Sequence, residues 1–202
     1  MLTNALLYFV DKDRWVVHRQ TLSDDLVAHG LERWRFDYGF RRPELNYQRA
    51  LRSAEAWTNT HGALALLLRA VTSVRLKRLS VKTGISIPPN VFAPGLSIAH
   101  YGSVIVNKKA RVGRFCRIHG AVNIGEYRGE APNLGDFVYI GPGAVLYGGI
   151  RVGSGVVVGA NSVVREDVPD GVTVAGVPAR VVSQVDSEHI MPQSFPSRRT
   201  AQ

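Results

Sequence analysis

Between about Val106 and Val164 the apolar residues return every sixth position. One slot is aliphatic throughout: Val106, Val112, Ile118, Ile124, Leu134, Ile140, Leu146, Val152 and Val158. The next slot is often glycine, at Gly113, Gly125, Gly135, Gly141, Gly153 and Gly159. The fifth is small or short, at Ala110, Cys116, Val122, Val138, Ala144, Ile150, Val156 and Ser162. Neither a helix, with period 3.6, nor an ordinary half-buried strand, with period 2, produces this spacing. It is the mark of a parallel β-helix, in which each six-residue unit forms one flat side of a triangular coil. The aliphatic slot points into the prism, three units close a coil, and glycine in the second slot is expected to turn the corner through positive φ. A sandwich would instead show period-two alternation with turn signals every 8–12 residues. No coil buries its own face, so stability comes from stacking.

Before the prism the pattern changes. Leu6–Val10 and Trp15–Val17 fit short strands or part of a helix. The stretch TLSDDLVAHGLERW reads as a helix capped by Thr21 or Ser23, and Trp34, Phe36, Tyr38 and Phe40 form an aromatic cluster. Pro43, followed by Glu44, opens a helix that Asn59–Gly62 breaks. A second helix runs from about Ala63 to Leu79, with Arg69, Arg75, Lys77 and Arg78 towards its end, and Thr83-Gly84 stops it. The organisation expected is a mainly helical region over 1–84 serving oligomerisation and the acceptor side, a β-helix over 85–182, and a loose polar tail over 183–202.

Two irregularities interrupt the rhythm. Counting back six from Val106 lands on His100, an imidazole where an aliphatic residue is expected. Local failures of this kind gather at functional sites. His119 follows nineteen residues later, in the next coil. No carboxylate or thiol completes a ligand set, so no metal is expected. The second irregularity separates Ile124 from Leu134. Ten residues stand where six suffice, so part of EYRGEAPN bulges out as a loop carrying Glu126, Tyr127, Arg128 and Glu130.

The net charge of +9 over 202 residues favours anionic partners. Without basic residues interleaved with aromatics, or a reading motif, nucleic acid is not among them. The single cysteine, Cys116, excludes an internal disulfide, fits a reducing compartment and falls in an inward slot. The start of the chain lacks a basic n-region and meets Asp11 and Asp13 early, arguing against a signal peptide. The apolar run at Ala63–Leu68 is too short to span a bilayer. A cytoplasmic protein without membrane attachment is expected.

The segments IPPNVFAPGLSIAHYG, NKKARVGRFCRIHGAVNIG, LGDFVYIGPGAVLYGGIRVG, VVVGANSVV and VAGVPARVV resemble the hexapeptide-repeat, left-handed β-helix acyltransferases. Within that family the chain is most similar to serine acetyltransferases and polysaccharide-locus O-acetyltransferases. The resemblance covers about half the chain and implies an all-β left-handed parallel β-helix with an α-helical N-terminal region. It also implies acetyl-CoA as co-substrate, a homotrimer with sites in clefts between prisms, and further pairing of trimers through the N-terminal helices. It places His100 as catalytic base. Gly141, Pro142, Gly159 and Ala160 fall beside the pantetheine arm, and Arg165 and Arg180 near the coenzyme phosphates. His119, Glu126, Arg128 and Glu130 are the candidates on the acceptor side or behind it.

The chain departs from serine acetyltransferases at the acceptor side. Ala99 stands where an Asp precedes the catalytic His, Ser86 where an Asp pairs with the base, and Glu130-Ala131-Pro132 where the family's loop ends in Arg-His-Pro. An acetyl-CoA-dependent O-acetyltransferase acting by direct His-assisted transfer on serine, a sugar or a sugar nucleotide is the reading that follows. A serine O-acetyltransferase of cysteine biosynthesis and a non-catalytic β-helix scaffold are the alternatives.

Overall fold

A computed structural model describes residues 12–197; the expectations for Leu6–Val10 and for the last residues of the tail lie outside that range. Among the described residues four helices, α1 (Lys12–Val27), α2 (Tyr38–Arg41), α3 (Pro43–Thr58) and α4 (Ala63–Thr83), precede β1 (Ile85–Ser86) and thirteen further short strands. Pro43 occupies the first turn of α3, and Gly84 terminates α4 in the left-handed conformation, φ 73°, as glycine at this position allows. α1 differs from its expected form. It begins before Thr21, whose hydroxyl donates to the Val17 carbonyl four residues back, 2.9 Å, so Thr21 lies inside the helix rather than capping it.

The strands wind into a left-handed parallel β-helix with three faces. One face holds β1, β3 (Val104–Val106), β6 (Asn123–Gly125), β9 (Val145–Tyr147) and β12 (Val163–Val164). The second holds β4 (Arg111–Val112), β7 (Asn133–Leu134) and β10 (Arg151–Val152). The third holds β2 (Ser97–Ile98), β5 (Arg117–Ile118), β8 (Tyr139–Ile140), β11 (Val157–Val158) and β13 (Thr173–Gly176), closed by antiparallel β14 (Ala179–Ser183). The aliphatic slot stacks in columns, for example Ile98, Ile118, Ile140, Val158 and Val174. These residues and the fifth-slot residues, Cys116 included, form one continuous buried core.

Corner chemistry differs from expectation. The second-slot glycines are absent from the positive-φ residues, which fall in the fourth slot instead: Phe115, Ala121, Phe137, Gly143, Gly155 and Asn161. Glycine in the second slot answers close approach of the coils. A Cβ on Gly113 would lie 2.6 Å from the Gly135 backbone, and one on Gly141 2.8 Å from the Ala160 nitrogen. The bulky left-handed residues Phe115 and Phe137 stack at 5.4 Å and are covered by Phe195 and Ala28. Ser187 is buried there too, its hydroxyl donating to the Phe137 carbonyl at 2.5 Å. The described part of the segment expected as a loose tail is therefore a strap along this corner.

The first coil has unpaired backbone groups, and the helices satisfy them. Tyr47 Oη accepts from Ile87 N and donates to Ile87 O, while Gln48 donates to Leu96 O at 2.7 Å. Arg52, buried, donates to Phe92 O and Ala93 O and bridges Asp25 and Glu55. Those two carboxylates accept from the backbone N–H groups of Gly95, Leu96 and Asn90. An edge that would otherwise pair with another chain is closed.

Candidate active site

Ile98, not His100, occupies the inward slot, paired with Ile118, and the next aliphatic residue in register is Val106, paired with Ile124. Eight residues therefore separate two positions that are six apart in the coil above, Ile118 to Ile124. The two extra residues widen the corner at 99–103. His100 sits exposed on that widened corner; the expectation of an imidazole in the wall is overturned because the counted register ignored this insertion.

The corner joining the third face to the first runs the length of the prism. It carries His100 on its lowest complete coil, His119 on the next, then Gly141-Pro142, then Gly159-Ala160. Backbone hydrogen bonds hold these levels together: Ala99 N to Ile118 O, His119 N to Ile140 O, Gly141 N to Val158 O and Asn161 N to Pro142 O, at 2.8–3.2 Å. Six of the expected site residues thus share one edge. Pro142 and Ala160 are exposed along it. The coils approach closely here: a Cβ on Gly141 would meet the Ala160 backbone nitrogen at 2.8 Å, and one on Gly159 the Ala175 Cβ at 3.1 Å.

His119 takes the second slot, where other coils place glycine. Its ring lies 6.2 Å from the His100 ring and 5.0 Å from that of Tyr139. Its Nε2 is buried without a hydrogen-bond partner. Burial, and then the charges of Arg117 and His100, push its pKa down to about 4, so the ring is neutral around pH 7. Burial pushes the Cys116 thiol well up from its ordinary value, so this inward side chain is unsuited to nucleophilic work.

Other expected residues stand elsewhere. The loop with Glu126, Arg128 and Glu130 interrupts the next corner, between β6 and β7, one full side of the prism from His100. It closes as a tight hairpin through Tyr127 and Glu130. Glu126 is held by Lys109 at 3.2 Å, Arg128 lies over Tyr127, and the Glu130 carboxylate rests against Gly149. Within one chain these groups neither touch an acceptor at His100 nor orient its ring. Arg165 leaves β12 on that same second corner, and Arg180 reaches it through Glu166, at 3.0 Å from Arg180 and 4.0 Å from Arg165. Counting sixes passed over Arg117 and Tyr139. Both fill the outward sixth slot, which also carries Arg111 and Arg151, so nothing in their spacing marks them out. No group of metal-ligating side chains occurs among the described residues, and none of the helices described is long and apolar enough to cross a membrane.

The left-handed prism of six-residue sides is the fold that the repeat pattern belongs to, and residues 131–166 match the family model "Bacterial transferase hexapeptide (six repeats)". The resemblance read from the sequence is borne out by the chain's similarity to serine acetyltransferases. The one from Synechococcus elongatus is 37% identical over 105 residues, half of this chain and 43% of the relative. A solved serine acetyltransferase from Brucella abortus superposes with a TM-score of 0.70 at 26% identity, covering 83% of this chain and 69% of the other. A serine acetyltransferase solved in complex with CoA gives 0.66 at 25%, covering 80% and 68%. The chain spans about half the length of the curated relatives it matches.

Proposed function

We propose that the protein is an acetyl-CoA-dependent O-acetyltransferase with His100 as its general base. The observation that carries this reading is the placement of an exposed imidazole on the same edge as the Gly141-Pro142 and Gly159-Ala160 levels. The relatives' name and the CoA complex of one neighbour support acetyl-CoA as the donor. His100 takes the proton of the acceptor hydroxyl as its oxygen attacks the acetyl carbonyl. The C–S bond then breaks and the proton passes to the departing thiolate, giving an acetyl ester and CoA. A base of this kind contributes about 10²–10⁴-fold, and the tetrahedral oxyanion requires a preorganised donor, most simply a backbone N–H of the glycine-rich corner.

The resting assembly in this reading is a homotrimer, in which the Glu126–Glu130 loop of one prism approaches the His100 edge of the next. Trimers pair further through the helices. A cytoplasmic location follows from the soluble reaction. Serine acetyltransferase activity itself is the second reading, favoured by the relatives' name; sugar hydroxyls are the alternative acceptors. Purified protein supplied with acetyl-CoA and a panel of hydroxyl acceptors should release thiol. His100→Ala should reduce turnover at least a hundredfold with CoA affinity and oligomeric mass unchanged. Loss of only a few-fold would remove His100 from the chemistry.

A further inference from the structure

The His100 edge holds a cation that the acetyl-transfer reading does not use. Arg117 lies on β5 and donates from Nη1 to Ser97 Oγ at 2.9 Å. Ser97 belongs to the same coil as His100, three residues before it, so the guanidinium leans towards the His100 level and away from Gly141-Pro142. Arg117 is half-buried, yet no carboxylate among the described residues forms an ion pair with it. The other buried or half-buried arginines have partners: Arg52 with Asp25 and Glu55, Arg42 with Glu44, and Arg49 over the Trp34 ring at 4.4 Å. A desolvated charge without a counter-charge is costly, and four of the five guanidinium N–H groups have no acceptor in these contacts.

Beside it lies the buried, unpartnered Nε2 of His119. The charges that act on His119 are Arg117 and His100, both disfavouring its protonation, with no carboxylate to offset them. Two imidazoles 6.2 Å apart and the guanidinium of the adjoining strand thus share this stretch, and no carboxylate acts on His119. A neutral imidazole carrying its proton on Nε2 donates one hydrogen bond, and a guanidinium offers two parallel ones to a carboxylate or phosphate.

We propose that Arg117 and the His119 Nε2–H form an anion subsite for the acceptor, which therefore carries a carboxylate or phosphate ester near the hydroxyl presented to His100. This rests on the O-acetyltransferase reading for its chemistry, but the subsite is testable without turnover. With CoA present, the full chain is titrated calorimetrically with acetate and with inorganic phosphate. Millimolar binding of at least one is expected, weakened at least tenfold in Arg117→Gln, largely kept in Arg117→Lys and retained in His100→Ala. Whichever anion binds distinguishes a carboxylate from a phosphoryl acceptor. Absence of binding to the wild type, or equal binding by folded Arg117→Gln, overturns the subsite while leaving acetyl transfer standing. Turnover gives the second readout. L-serine is compared with its methyl ester, and glucose 1-phosphate with methyl glucoside. The anionic member of one pair should show at least tenfold higher kcat/KM, and Arg117→Gln should abolish that preference through KM. A neutral member turned over equally well by the wild type overturns the proposal.

Discussion

At the scale of single residues, His119 and the second-slot glycines make distinct demands. The His119 ring resists protonation in the folded state, its pKa lying near 4 against an ordinary 6.5. Between those values the unfolded chain binds a proton that the native protein does not, so stability falls as pH drops from about 6.5 to about 4 and levels below. His119→Gln should flatten that part of the curve in urea titrations across the range. Gly113→Ala forces a Cβ to within 2.6 Å of the next coil's backbone and should cost about 1–3 kcal/mol. Gly120→Ala, with nothing within 4 Å and no positive φ, should change stability by less than about 0.5 kcal/mol. The sequence singled out His100 correctly as irregular but misjudged the irregularity. Six-residue counting assumes no insertion, and the one glycine at the widened corner, Gly102 at φ 140°, looks in sequence like any other repeat glycine. Glycine's two uses, left-handed turning and close packing, look alike in sequence, which is why the corners were assigned to the wrong slot.

Individual elements show where pattern reading works and where it stops. The bounds of α3 and the end of α4 were legible because Pro43 and Gly84 act through their own backbone restrictions. The start of α1 was not, since Thr21 makes the same kind of hydroxyl hydrogen bond inside a helix as at its cap. Nor did spacing reveal that α3 seals the prism: Arg52, Gln48 and Glu55 carry no pattern that sets them apart, yet each meets backbone forty or so residues away. Arg52→Met would strip Asp25 and Glu55 of their shared cation in a buried setting. A loss of about 3–5 kcal/mol is expected, measurable as a lowered urea midpoint, with the first coil exposed to hydrogen exchange before the upper coils.

For the molecule as a whole, the period of six was sufficient to give the three-sided parallel prism, because a repeat fixes fold through one rule applied many times; its left hand came from the family resemblance. It could not give the relation between edges, which depends on where insertions fall. The loop and the histidine edge proved to be one side apart. A trimer is the expected assembly, and light scattering should return three times the chain mass. α4 leaves Leu66, Leu67, Val71 and Val74 more than half exposed, a patch of the sort that marks contact surfaces. Leu67→Glu with Val74→Glu should leave the trimer intact and eliminate any larger species in the same measurement. Helices seal one end of the prism and β14 closes the other, so the middle is free to lengthen. Duplicating the rung from Gly141 to Val158 would raise everything above it by about 4.8 Å. In the proposed acetyl-transfer reading, a coenzyme whose reactive end must reach His100 from anchors nearer the top would then fall one rung short, and the prism would act as a ruler cut to the length of its cargo.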